Sequence, residues 1–340
     1  MGATLSEFIA LVNLPAMTEQ QLRLQMQLLD EPDDGRRDRL WTCHAPSLMQ
    51  DAAATLDFLI TLPDVGTGQA PTERQRLGLY YEDLVGELLG LALARGPLHR
   101  NVQCIRQGIT AGEFDFLYRD RQQWIHLETA VKYYLCCGDG SALHHYVGPG
   151  RRDRLDIKWQ RLQQHQLNLA CQEAGRDTLA RMGIMAPQPR LLMPGYLFYR
   201  AGVEPPADAL HRAISPLHLR GWWIPLAELE RLQDAPERRY ALLPKLRWLS
   251  PARLPLAQTL NWHQLQERLL QCNHPTLVAQ LSPLPDSSIP DKAPGEIQGD
   301  APGEELLGET GRGFIVPDGW DADPVRLRAK TLARLNRQAS

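Results

Sequence analysis

The chain has 340 residues, a formal net charge of −3 and 43% hydrophobic residues. That length exceeds what one simple core needs, and the apolar content supports packing nearly throughout, so one enlarged α/β domain or two domains are expected. The near-balanced charge argues against a dedicated nucleic-acid coat while leaving room for a local basic groove.

No apolar run approaches the ~20 residues of a membrane span. The opening "MGATLSEFIALVNLP" lacks the basic start and long apolar stretch of a secretory leader. None of the six cysteines forms a Cys-x-x-Cys pair, so they read as reduced thiols. A cytoplasmic protein without a membrane partner is expected.

Residues 1–70 read as short helical pieces. Leu22, Met26 and Leu29 fall at helical spacing before a Pro-Asp-Asp-Gly turn, and "RRDRLWTCHAPSLM" and "DAAATLDFLITLP" follow. The core is expected over 71–280. It opens with the best helix, 72–95, where Thr72 and Gln75 suit a capping box and Leu77, Tyr81, Leu84, Leu88 and Leu91 make an apolar stripe. "NVQCIRQG" suits a short strand. Residues 112–135 read as an antiparallel hairpin turning at Arg121-Gln122. Asp153 to about Ala174 is expected as one helix, with Leu155, Leu162 and Leu169 on one side.

"PRLLMPGYLFYR", "LRGWWIPL" and "RRYALLPKLRWL" are further strand candidates, and "NWHQLQERLLQC" is a helix. Residues 281–311, rich in Pro, Gly, Asp and Ser, suit a disordered linker or long loop. Residues 312–340 suit a docking segment, "GRGFIVPDGW", and a final helix after Asp323-Pro324.

The hairpin carries the unusual chemistry. Alternation puts Glu113, Asp115 and Leu117 on one face of its first strand and Phe114, Phe116 and Tyr118 on the other. On the second strand His126, Glu128, Ala130 and Lys132 share a face. With the turn at 121–122, Asp115 faces Glu128, and two facing carboxylates repel unless a proton, a cation or a metal lies between them. Glu82 lies at the edge of the stripe of helix 72–95. Lys158 and Gln166 fall on the inward stripe of helix 153–174, with Gln166 a polar support. Arg151, Arg152, Arg154 and Arg161 give a local basic excess suited to a phosphate backbone. The plain alternatives are solvated acids, a Glu128–Lys132 ion pair and a snorkelling lysine.

A glutamate on a helix, an aspartate on the first hairpin strand and a glutamate on the second resemble the PD-(D/E)XK nuclease superfamily. The segments "RLGLYYEDLV", "GEFDFLYRD", "HLETAVKYYL", "GPGRRDRLDIKWQRLQQHQL", "GYLFYR", "LRGWWIPL", "YALLPKLRWLSP" and "RGFIVPDGW" resemble a bacterial family of unknown function related to it. The resemblance implies a mixed central sheet flanked by helices, a restriction-endonuclease-like core with N-terminal helical additions. It also implies Mg²⁺ or Mn²⁺ on Glu82, Asp115 and Glu128, with cleavage of DNA. The superfamily places its lysine two residues after the acid, where this chain has Ala130. Lys132 and Lys158 are the candidates in its place, and a non-catalytic module binding nucleic acid or protein is the alternative function.

Overall fold

The computed structural model describes residues 28, 31, 34–50, 76–93, 96–203, 207–232, 237–284 and 305–321. Helix α1 (Asp34–His44) precedes α2 (Leu77–Ala92). Strands β1 (Leu98–Arg106), β2 (Ile109–Asp120) and β3 (Gln123–Thr129) follow as a meander, then β4 (Lys132–Cys136) and the short β5 (Tyr146–Val147). Helices α3 (Leu155–Arg161) and α4 (Glu173–Arg181) lead to β6 (Gln188–Leu192), β7 (Gly195–Arg200) and β8 (Leu219–Pro225). The remaining elements are β9 (Arg239–Leu242), β10 (Arg253–Pro255), α5 (Trp262–Leu270), β11 (Thr276–Pro283) and β12 (Leu306–Val316).

The fold is mixed α/β, with two mixed sheets flanked by helices. The smaller sheet has the order β1-β2-β3-β6; the larger runs β5-β4-β7-β8-β12-β11-β9, with β10 on β12. The expected single run of strand through residue 135 is therefore divided. It breaks at Ala130-Val131, and its partner breaks at Met193-Pro194. Register survives both breaks: Ile125 pairs with Gln188 and Lys132 with Gly195, at the same offset. Ala130 and Lys132 still donate their N–H groups to Leu192 and Pro194. The two sheets thus meet along a bent seam between β3-β4 and β6-β7, just past Glu128.

Helix α2 buries Leu77, Tyr81, Leu84 and Leu88 as expected, against Phe116, Leu127, Tyr133 and Phe198. Leu91, assigned to that stripe, is exposed, because the helix ends at Ala92. The expected capping pair Thr72 and Gln75 lies outside the described residues. The expected helix in "NWHQLQERLLQC" is α5, opened by a reciprocal capping box of Asn261 and Gln264.

The expected helix 153–174 is instead α3, a π-helical turn over Leu162–Gln166, and a separate short turn before α4. The reason is that its leucines serve two cores. Leu155 and Leu162 pack with Tyr134, Leu191 and Leu197, whereas Leu169 packs with Cys104, Phe114 and Leu179. One straight helix cannot follow both faces of the bent seam.

The expected linker 281–311 is also revised. Residues 306–311 open β12, which lies between β8 and β11 inside the larger sheet. Its burial rests on Leu307, Phe314, Ile315 and Val316, and on Arg312, whose guanidinium pairs with Glu309 and donates to the carbonyls of Trp248 and Ser250. A buried arginine needs such a full set of acceptors. Residues 285–304 and the expected final helix lie outside the described residues.

Gly195 is the tightest point of the seam. Its φ is +144°, and a Cβ there would lie 1.7 Å from the Lys132 carbonyl oxygen. Gly195→Ala is expected to destabilise the protein by more than about 2 kcal/mol. Denaturant unfolding checks this; a change below about 0.5 kcal/mol would show that the seam is not tightly constrained.

Candidate functional site

The β2–β3 ladder runs from Asp120↔Gln123 to Phe116↔Leu127 and ends where the acids begin. Beyond it, Asp115 Oδ2 accepts the Thr129 backbone N–H at 2.9 Å, so a side chain takes over the ladder. Phe114 departs from the expected alternation: it packs with Leu117 and Cys104, while Phe116 and Tyr118 join the α2 core.

Glu128 is fully buried, and both its oxygens are held. Oε1 lies 2.8 Å from His126 Nε2, and Oε2 accepts from Gln166 Nε2 at 2.7 Å. The Gln166 oxygen in turn accepts from Lys158 Nζ at 3.0 Å. Gln166 reaches this position from the end of the π-helical turn, a distortion that recurs at functional sites. One amide therefore sorts the charges, its N–H toward the carboxylate and its C=O toward the ammonium.

The electrostatics are strained. Burial, then the nearby charge of Glu128, pushes the Asp115 carboxyl up to about 8, while the Thr129 N–H and Lys158 oppose the rise. Burial and the charge of Lys132 lower the Lys158 ammonium, against the pull of Glu128 and Asp115. Burial also raises Glu82, whose side chain bonds to Asn101 and whose charge adds to the rise at Asp115.

The two lysines are not equivalent. Lys132 Nζ is bound to Asp153 at 2.6 Å, and the Tyr134 hydroxyl donates to the same oxygen at 3.1 Å. Lys158 instead donates to Gln166, whose amide holds Glu128. Asp153 was not singled out as a partner in the sequence, because the contact joins positions 21 residues apart across the seam. The place of His126 was legible, since alternation puts it on the Glu128 face, but its role was not.

Of the four arginines, Arg154 is buried and makes a bidentate pair with Asp156, both contacts at 2.6 Å, so its guanidinium is committed inside the fold. Arg152 and Arg161 are exposed, and Arg151 is half-buried on the same loop.

Among the described residues, no three His, Cys, Asp or Glu side chains are grouped closely enough to hold a metal ion, so Glu82 does not complete a three-acid set here. Asp115 and Glu128 are the acids that could hold a hard cation. Mg²⁺ is commonly held by one or two carboxylates while it keeps water and substrate oxygens, and carboxylate oxygens that already accept one hydrogen bond retain further acceptor capacity.

The sign of the pH dependence follows from Asp115. Its folded carboxyl, at about 8, stays protonated well above the usual value near 3.8, so the folded state binds more protons between these limits. Its contribution to stability is full below about pH 4 and is lost as pH rises through about 8. Asn at this position keeps an acceptor for Thr129 without the charge. In chelator, Asp115→Asn should flatten the fall in melting temperature between pH 5 and 9 and melt at least about 2 °C above wild type at pH 9. Identical pH profiles would remove the strained carboxylate from the account.

Among the described residues, no helix is long and apolar enough to cross a membrane. No curated protein and no solved structure matches the chain. The model of one family, described as "Domain of unknown function (DUF1853)", matches residues 37–294, a span that holds α2, both sheets' shared seam and every residue of the site just described. The chain belongs to this family of unknown function.

Proposed function

We propose that the protein is a metal-dependent phosphodiester hydrolase acting on DNA in the cytoplasm, with Asp115 and Glu128 holding Mg²⁺ or Mn²⁺. The observation that carries this reading is the pair itself: a fully buried Glu128 and a half-buried Asp115 at one sheet end, with the Lys158 ammonium joined to Glu128 through Gln166. When bound, a divalent ion there supplies Lewis acidity toward phosphoryl oxygens.

The chain's own residues do the rest. Glu128 is fixed in orientation from both sides, and Thr129 anchors Asp115 through its backbone. Lys158, partly stripped of water, offers positive charge to a reacting phosphate, where such a preorganised donor is worth about 10²–10³ in rate. Arg152 and Arg161, with Arg151, offer sequence-independent contacts to the phosphate backbone. Glu82 stands at the margin, suited to orienting water rather than to completing the pair. The superfamily's restriction-endonuclease-like core is part of the same proposal, with the bent seam as its departure.

A second reading is a module that binds nucleic acid or a protein without cutting. It is favoured by the two lysines: Lys132 is neutralised by Asp153, and Lys158 is tied to Gln166.

Incubation of the purified protein with single- and double-stranded DNA and Mg²⁺ or Mn²⁺ tests the proposal. Cleavage should vanish in chelator and fall at least about 100-fold in Asp115→Asn and Glu128→Gln. Lys158→Met should lose cutting by a similar factor while cation binding persists, and Lys132→Met should lose much less. Cation and DNA binding without any cleavage would select the second reading.

A further inference from the structure

We propose that His126 is a positioning residue for the cation site, holding the Glu128 carboxylate in the one orientation that can share a divalent ion with Asp115. The inference rests on the functional reading above and deepens it, separating the part of His126 from that of Gln166.

His126 and Glu128 are next-but-one neighbours on β3, so the strand puts both side chains on one face. Both are fully buried, and His126 Nε2 lies 2.8 Å from Glu128 Oε1. Against an ionised Glu128, whose oxygens only accept, Nε2 carries the proton in this contact. The ring is itself fixed. The Phe114 ring packs edge-on against it, with centroids 4.6 Å apart, and His126 is fully buried.

The other ring nitrogen supplies a second, independent observation. His126 Nδ1 is buried with no hydrogen-bond partner among the described residues. An unpaired buried polar atom is a cost to the fold. An apolar side chain at this position would avoid that cost but leave the buried Glu128 Oε1 without its donor. What the imidazole adds is a rigid donor to Oε1, matched on the other side by the Gln166 amide on Oε2. The two donors fix the plane of the carboxylate. Groups that orient a metal-binding side chain in this way are typically worth 10–100-fold in metal affinity.

The test compares His126→Leu, which fills space without a donor, with His126→Gln, whose amide nitrogen can occupy the place of Nε2. Calorimetric titration with Mn²⁺ is expected to show wild-type affinity within about threefold for His126→Gln and a loss of about tenfold or more for His126→Leu. Equal affinities in all three proteins would overturn the positioning role while leaving the cation site standing. No Mn²⁺ binding by the wild type would overturn both. A measurement on the unaltered protein covers the case in which His126→Leu does not fold: ¹⁵N spectra of the ring should show an Nε2–H tautomer, with its proton protected from exchange, both with and without Mg²⁺. An Nδ1–H tautomer would contradict the proposal.

Discussion

The confrontation of Asp115 with Glu128 is the constraint on which the rest of the site depends. Each sits at the end of the β2–β3 ladder, where the backbone pairing has run out and side chains must satisfy what the strands no longer can. Asp115 answers by accepting the Thr129 N–H. Glu128 answers by collecting His126 and Gln166. Neither arrangement removes the repulsion, because burial and the facing charge still hold the Asp115 carboxyl far above its usual range. A fold that keeps such a pair keeps a place where a cation or a proton is favoured.

The seam beside the pair explains why it can exist. Where β3 passes into β4 and β6 into β7, the register is kept while the sheet bends. Beside it the π-helical turn after α3 brings Gln166 to Glu128, and Lys158 donates to the same amide. Lys132, past the break, pairs with Asp153. Gly195, where no side chain fits, is the local condition for that bend.

Much of this was legible in the sequence, and what was not has a physical cause. Period-two alternation and a turn at Arg121-Gln122 are local properties, so the hairpin and the facing of its acids could be read directly. The inward placement of Lys158 and Gln166 followed from helical spacing, although the helix itself is divided. The pairing of Lys132 with Asp153 depends on how two sheets meet, which no local pattern records. Strand β12 was hidden for a related reason: its Gly-rich start reads as loop, and only neighbours far along the chain, Trp248 and Ser250 for Arg312, make it a buried strand. The capping residues expected ahead of α2 and the expected final helix lie outside the described residues.

The most direct test of the account is the titration of the Asp115 carboxyl, followed by ¹³C NMR with and without Mg²⁺. Without the ion it should titrate at about 8, and Glu128→Gln should lower it. Saturating Mg²⁺ should shift the deprotonation to well below neutral pH. A carboxyl that titrates near 3.8, indifferent both to Mg²⁺ and to Glu128→Gln, would contradict the claim that these two acids form a strained, cation-seeking pair.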